Sequence, residues 1–172
     1  MRELLGRAPR RLVWLGNPGN TGNQADWADA QGAAASFGAE ISRVEASRAD
    51  EVDKAFEVLP DDLDALLVQW DFLFSSLPAR IAELAVRKRL PAVYGNRTHV
   101  LFGGLMSYGG DLRENYRQGA RYVDRVLRGT PPADLPVVQA SRFELALNVG
   151  AAKAIGLTIP HPLLARADEV VE

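Results

Sequence analysis

Apolar positions along this chain follow two alternating rhythms. Short continuous runs, RLVWLG at 11–16, ALLVQW at 65–70 and LPAVYG at 90–95, are bounded by turn-forming residues and predict strands covered on both faces. Between them the apolar period lengthens to that of a helix. Trp27, Ala30, Ala34 and Phe37 share one face of a helix expected over 24–37 and stopped by Gly38, and Val52, Phe56 and Leu59 form the buried side of ADEVDKAFEVL, which Ser47 is placed to cap. Ile81, Leu84 and Ala85, with the stem of Lys88, stripe FLFSSLPARIAELAVRKR. AEISRVEAS alternates imperfectly, as a strand near a sheet edge would. Strand and helix in fourfold alternation with short connections predict an α/β fold, a doubly wound parallel sheet with right-handed crossovers.

The stretch GGLMSYGGDLRENY, 103–116, changes the pattern. Leu105 to Tyr108 can be extended, Gly109 and Gly110 supply a turn, and Asp111 can cap the helix that follows. That helix, 111–128, carries Leu112, Tyr116, Val123 and Leu127 on one stripe and Arg113, Arg117, Arg121 and Arg125 on another. The arginine stripe reads as a solvated face that Asp111, Glu114 and Asp124 partly neutralise. TPPADLP then reads as a connector, RFELALN as a strand, VGAAKAIG as a short helix, and TIPHPLLARADEVVE as a tail with one or two further turns.

Composition narrows the chemistry. The 172 residues suit one domain, and 20 basic against 22 acidic residues leave a net charge of −2, which gives no field to draw nucleic acid. With no cysteine there is no disulfide, thiolate nucleophile or Cys-ligated metal. No apolar run reaches membrane-spanning length, and MRELLGRAPRR lacks the apolar core of a signal peptide, so the chain as written is expected to stay in the cytoplasm where it is made.

Parallel sheets present ligands off the carboxyl ends of their strands. The candidates there are Asn17, Pro18, Gly19 and Asn20, then Ser47, then Trp70 and Asp71, then Gly95 and Asn96, and finally Tyr108. The loop GNPGNTGN could cradle an anion on its N–H groups or be a plain tight loop; it has neither a Walker A lysine nor G-x-G-x-x-G spacing. Trp14 and Trp27 read as core, whereas Trp70 could stack on an apolar or aromatic ligand. Ser75, Ser76 and Ser107 have only His99 and His161 as possible bases, and no nucleophile elbow surrounds them. Asp61, Asp62 and Asp64 fall at a strand's amino end and read as a solvated turn rather than a cation site. No catalytic residue, metal or cofactor is expected.

The run LPAVYGNRTHVLFGGLMSYGGDLRENYRQGARYVDRVLRG, followed by ADLPVVQASRFELALNVGAAKAIGLTIPHPLLARADEVVE, resembles the ABC-transporter substrate-binding proteins of the tryptophan/tyrosine-uptake type. The likeness extends upstream through RLVWLGNPGN and DALLVQWDFLF. It implies a type I periplasmic-binding fold: two α/β lobes joined by three crossing strands, with a small amino-acid-like solute held between them and a membrane permease as partner. Family members carry a secretion signal and a first lobe before the point matching Arg11, so the resemblance casts this chain as the second lobe, periplasmic or otherwise extracytoplasmic in origin. Residues 1–106 would form that lobe, 107–135 the hinge crossing and a helix meant for the first lobe, and 136–172 the returning segment. The family's lobe-two contacts match Asn17 to Asn20, Trp70 to Asp71, and Gly95 to Asn96. Two other readings remain at this level: a ligand-sensing regulatory domain of the same architecture, and a flavodoxin-like enzyme holding phosphate or nucleotide on GNPGN. A helix whose docking surface is missing also predicts self-association through 111–128.

Overall fold

The computed structural model describes residues 1–138 and 142–172, so residues 139–141, inside the expected returning segment, lie outside the described residues. One seven-stranded sheet organises the chain. Its strands are β1 (Arg11–Gly16), β2 (Glu40–Glu45), β3 (Ala65–Val68), β4 (Ala92–Tyr94), β5 (Met106–Gly110), β6 (Phe143–Asn148) and β7 (Glu169–Val171), in the order β2-β1-β3-β4-β5-β6-β7. The first five are parallel, as the alternating pattern predicts. β6 runs antiparallel to β5, and β7 runs parallel to β6. The sheet is therefore mixed at the end where the chain departs and comes back.

Two layers of apolar side chains hold the sheet. Val13, Leu15, Leu66 and Val68 from the central strands pack with Val52, Ala55 and Phe56 of α3 (Ala49–Glu57) and Ile81, Leu84 and Ala85 of α5 (Pro78–Arg87). Each of the larger side chains contributes about 1.5–3 kcal/mol by leaving water. A second cluster joins Leu105, Met106 and Leu147 to Ala152 of α8 (Val149–Ala154), Leu163 of α9 (His161–Leu164) and Leu4 of α1 (Arg2–Leu5). The amino-terminal segment is tied down by charge as well: Arg7 pairs with Asp64, whose carboxylate also accepts the N–H groups of Arg10 and Arg11. The Arg7 guanidinium and these N–H groups hold the Asp64 carboxyl well below the ordinary carboxylate value. Asp64 thus clips the amino ends of β1 and β3 together.

Several local expectations are corrected. Gly109 and Gly110 are not a turn; they are the last two residues of β5, paired with Glu144 and Phe143. Gly109 is required by close approach, since a Cβ there would overlap the Gly95 carbonyl oxygen. Ser47 does not cap α3, because Arg48 occupies the N-cap position; the Ser47 hydroxyl donates to Glu51 at 2.8 Å. The expected long helix after β3 divides into α4 (Phe72–Ser75) and α5, with Pro78 opening the second because its ring fits a first turn. The tail contains β7 rather than only helical turns.

The alanine-rich helix α2 (Asn23–Ser36) ends at Gly38, which has φ +68°, but it buries only Asn23 and Ala34, and Phe37 is 60% exposed. It lies against β1 and β2, near the sheet edge, and small side chains there offer little apolar area to bury. Trp27 is half-buried against Trp14, ring centroids 5.6 Å apart, with Arg43 over its ring. The amphipathic helix α7 (Leu112–Leu127), between β5 and β6, buries no residue at all.

Candidate ligand-binding rim

The carboxyl ends of β1, β3, β4 and β5 lie side by side in the sheet and bring the sequence-selected loops to one edge. At its β1 side a closed polar network forms. Asp71, which caps α4 through the Leu73 N–H, also accepts Asn17 Nδ2 at 3.1 Å and Asn20 Nδ2 at 2.7 Å. Burial raises the Asp71 carboxyl, but the two amides and the N–H groups at the start of α4 outweigh it and hold the group below its ordinary value. It is a charged anchor facing the loop.

The backbone of that loop is equally committed. The Asn17 N–H donates to Gln69 Oε1 at 2.9 Å, the Gly19 N–H to Asn17 Oδ1 at 2.9 Å, and the Gly22 N–H to Asn20 Oδ1 at 2.8 Å. The N–H groups of Asn20 and Asn23 bond to the carbonyls of Asn17 and Asn20. Proline at 18 has no N–H. Most of the loop's N–H groups thus hold its own shape rather than facing outward for an anion, while the first turn of α2 has no side-chain cap. What remains for a ligand is the outward side of the half-buried Asn17 and Asn20 and the exposed Pro18 and Gly19.

Next along the rim, Trp70 is 53% exposed and Phe72 is 86% exposed, their ring centroids 6.1 Å apart. Trp70 leans over Gly95, where a Cβ would lie 3.0 Å from the indole's own Cβ. Asn96 turns inward: its Oδ1 accepts the Thr98 N–H at 2.8 Å at the start of α6 (Thr98–Leu101). Tyr108 lies within β5 rather than beyond it, exposed and stacked on Phe143 of the returning strand, centroids 5.6 Å apart. Ser47, after β2, is occupied with Glu51.

A cleft of about 210 Å³ opens where this end of the rim meets α7, lined among others by Gly95, Asn96, Ser107, Gly109, Arg113 and Glu144. Asp111 caps α7 as its position predicts, its Oδ1 accepting the N–H groups of Arg113 and Glu114. Beneath the rim, His99 stacks on Tyr94, centroids 4.5 Å apart, and its Nε2–H donates to the Phe74 carbonyl at 3.1 Å. Burial lowers the His99 imidazole and raises the Tyr94 phenol. Neither His99 Nδ1 nor the Tyr94 hydroxyl has a partner among the described residues. His99 is thus occupied in the core, and no group of three or more His, Asp or Glu that could hold a metal occurs among the described residues.

Gln69, Asp26, Arg113 and Glu144 were not legible as site residues. Gln69 is 4% exposed and carries the network outward, its Nε2 donating to Asp26 at 2.7 Å. A polar amide closing the otherwise apolar run ALLVQW was the available signal.

The family model described as ABC transporter substrate binding protein matches residues 10–171. The chain belongs to the ABC transporter substrate-binding protein family. No protein of curated function matches it. Among solved structures, a conserved domain protein from Vibrio cholerae O1 biovar El Tor is 26% identical with a TM-score of 0.89, covering 98% of this chain. An ABC domain in complex with L-Trp from Streptococcus pneumoniae is 21% identical, with a TM-score of 0.90 over 99% of this chain. A ligand-free, open substrate binding protein with adhesive properties from Clostridium difficile is 17% identical, with a TM-score of 0.74 over 99%. This chain spans 57% of the length of each of the three. The two below 25% identity establish the fold alone.

Proposed function

We propose that this chain supplies one lobe of a solute-binding component of an ABC importer, holding a small, amino-acid-like solute against the rim that runs from Asn17 to Tyr108. The observation that carries the reading is the exposed Trp70 and Phe72 beside the prebuilt Asn17–Asn20–Asp71 network. An apolar wall next to fixed polar groups is the usual composition of a small-molecule site. No bond is made or broken there. Residues 1–106 and 136–172 form the lobe, while 107–135 cross a hinge and carry α7 to the other lobe of a complete two-lobe protein, where its bare apolar stripe would be covered. Closure of two lobes on a solute is the signal a permease reads, and such a protein works outside the cytoplasmic membrane. Among the described residues no helix is long and apolar enough to cross a membrane. The L-Trp held by the streptococcal structure supports an amino acid as the solute. A phosphate or nucleotide reading of the β1 loop is disfavoured, since most of the loop's own N–H groups are spent and the Asp71 carboxylate lies beside it.

One lobe offers about half of a two-lobe site, so the isolated chain should bind weakly. Titration of the ¹⁵N-labelled chain with a panel of amino acids and nucleotides tests this. The expected result is fast-exchange shifts at millimolar amino acid, clustered at the Trp70 indole N–H and the amides of Asn17 and Gly95. Shifts given only by nucleotides, or clustered at the opposite edge around Arg7 and Asp64, would sink it.

A further inference from the structure

His99 lies beneath the rim and joins two of its shortest helices. Its ring is 2% exposed and stacks on Tyr94 of β4, with the two planes 10° apart. From α6 its Nε2–H reaches across to the Phe74 carbonyl of α4 at 3.1 Å. Each of these helices is four residues long. The other hydrogen bonds of the α4 backbone run within 71–77, so among the described residues His99 is what ties that backbone to another element by hydrogen bonding. α4 carries the exposed Phe72. The two residues before it are Trp70, the other ring of the aromatic wall, and Asp71, the anchor of the β1 loop.

The bond to Phe74 places the proton of neutral His99 on Nε2 and leaves Nδ1 to take a second one. Nδ1 is buried without a hydrogen-bond partner among the described residues, and so is the hydroxyl of Tyr94, the ionisable side chain of β4. Charged groups on the surrounding elements are engaged elsewhere. Beside α6, Arg97 pairs with Glu169; on α5, which packs on α6, Arg80 pairs with Asp53 and Glu83, and Arg87 with Glu83, while Lys88 just beyond it pairs with Asp61. α4 brings Asp71 at its cap, bound by Asn17 and Asn20. β5 brings the exposed Tyr108, and β6 brings Glu144, which lines the cleft, and Asn148, which donates to the Val100 carbonyl. Burial lowers the imidazole, and the Asn96 and Phe74 carbonyls, which favour the cation, do not offset it. A second proton therefore puts an unpaired charge in the core, which costs more than one hydrogen bond returns.

We propose that His99 is an acid-sensitive strut under the aromatic wall: neutral, it holds α4 in place; protonated, it leaves the Tyr94 face for water and frees α4, so that Trp70 and Phe72 lose their fixed positions. The opening stays in this corner, because one-turn helices come free before the central strands do. It sets in as pH falls below the ordinary histidine value of about 6.5. A solute resting on the wall is then released by acid. That coupling rests on the solute-binding reading; the strut itself does not.

The test is a pH titration of the ¹³C,¹⁵N-labelled full chain by NMR, with and without L-phenylalanine. The expected result is that the Phe72, Leu73 and Phe74 amides and the Trp70 indole N–H shift with the midpoint of the His99 ring, distinct from that of the exposed His161, while the Leu15 and Leu66 amides stay still. L-phenylalanine should bind at least ~5-fold more weakly below that midpoint than above it. His99→Gln, whose amide can still donate to Phe74 and does not titrate, should remove both pH dependences. A His99 ring that titrates while the α4 amides stand still overturns the strut, as do α4 shifts with another midpoint or shared by Leu15 and Leu66, which would mark global unfolding. Coincident α4 shifts with an unchanged L-phenylalanine affinity overturn the coupling. Coincident shifts with no L-phenylalanine binding at any pH uphold the strut and overturn the solute-binding reading.

Discussion

Asn20 Nδ2 donates to Asp71 Oδ2 at 2.7 Å, joining residues 51 positions apart. This bond and its partner from Asn17 make the β1 loop a shaped surface before any ligand arrives, which lowers the ordering cost of binding. Asp71→Ala would leave both side-chain amides and the Leu73 N–H short of an acceptor. The expected loss is about 1–3 kcal/mol in urea unfolding, with faster hydrogen exchange at Gly19 and Gly22. Unchanged exchange there would show that the loop holds itself.

Asp71 also sets an acid limit. Its carboxyl is held below the ordinary value in the folded chain, so the unfolded chain binds the proton first as pH falls. Its stabilising contribution is complete above an unfolded value of about 3.9 and is lost as pH drops through the lower folded value. Thermal melts of the parent and Asp71→Ala should therefore converge at strongly acidic pH and differ most near neutrality.

His99 acts in a higher window. Burial against Tyr94 disfavours its cation, so its folded value lies below the unfolded one of about 6.5. Stability from a neutral His99 is full above that value and declines as pH falls below it, when the unfolded chain takes up the proton first. His99→Gln should flatten the fall in melting temperature that begins near pH 6.5, even if its melting temperature at pH 8 is lower.

Glycine substitutions separate close approach from open space. Gly109→Ala drives a methyl into the Gly95 carbonyl between β5 and the loop after β4, and should cost about 2–3 kcal/mol. Gly32→Ala, in the interior of α2 with nothing within 4 Å, should gain about 0.5–1 kcal/mol. Denaturant midpoints for the two variants would then move in opposite directions.

Helix α7 leaves Tyr116 79% and Leu127 81% exposed. In the isolated chain that stripe should drive association into a dimer or larger species at micromolar concentration, measurable by light scattering. Tyr116→Glu with Leu127→Glu should restore the monomer. A parent chain that is already monomeric would count against association through this face.

Periodicity pointed to the parallel α/β order, the edge position of β2 and the central position of β3, and residue type to the Asp111 cap, because each depends on residues close in sequence. Continuous runs such as ALLVQW need cover on two faces, and a period near 3.6 needs a helix. The motifs also carried the family. Tertiary structure decided the rest. Pairing with β6 turned Gly109 and Gly110 from a turn into strand, and the same pairing brought Glu144 to Arg113's cleft. Gln69 took the Asn17 N–H and Asp71 the side-chain amides of Asn17 and Asn20, which set the loop so that the Gly19 and Gly22 N–H groups bond within it. Local sequence cannot show which distant side chain will satisfy a backbone N–H; that follows only when β1 and β3 lie side by side.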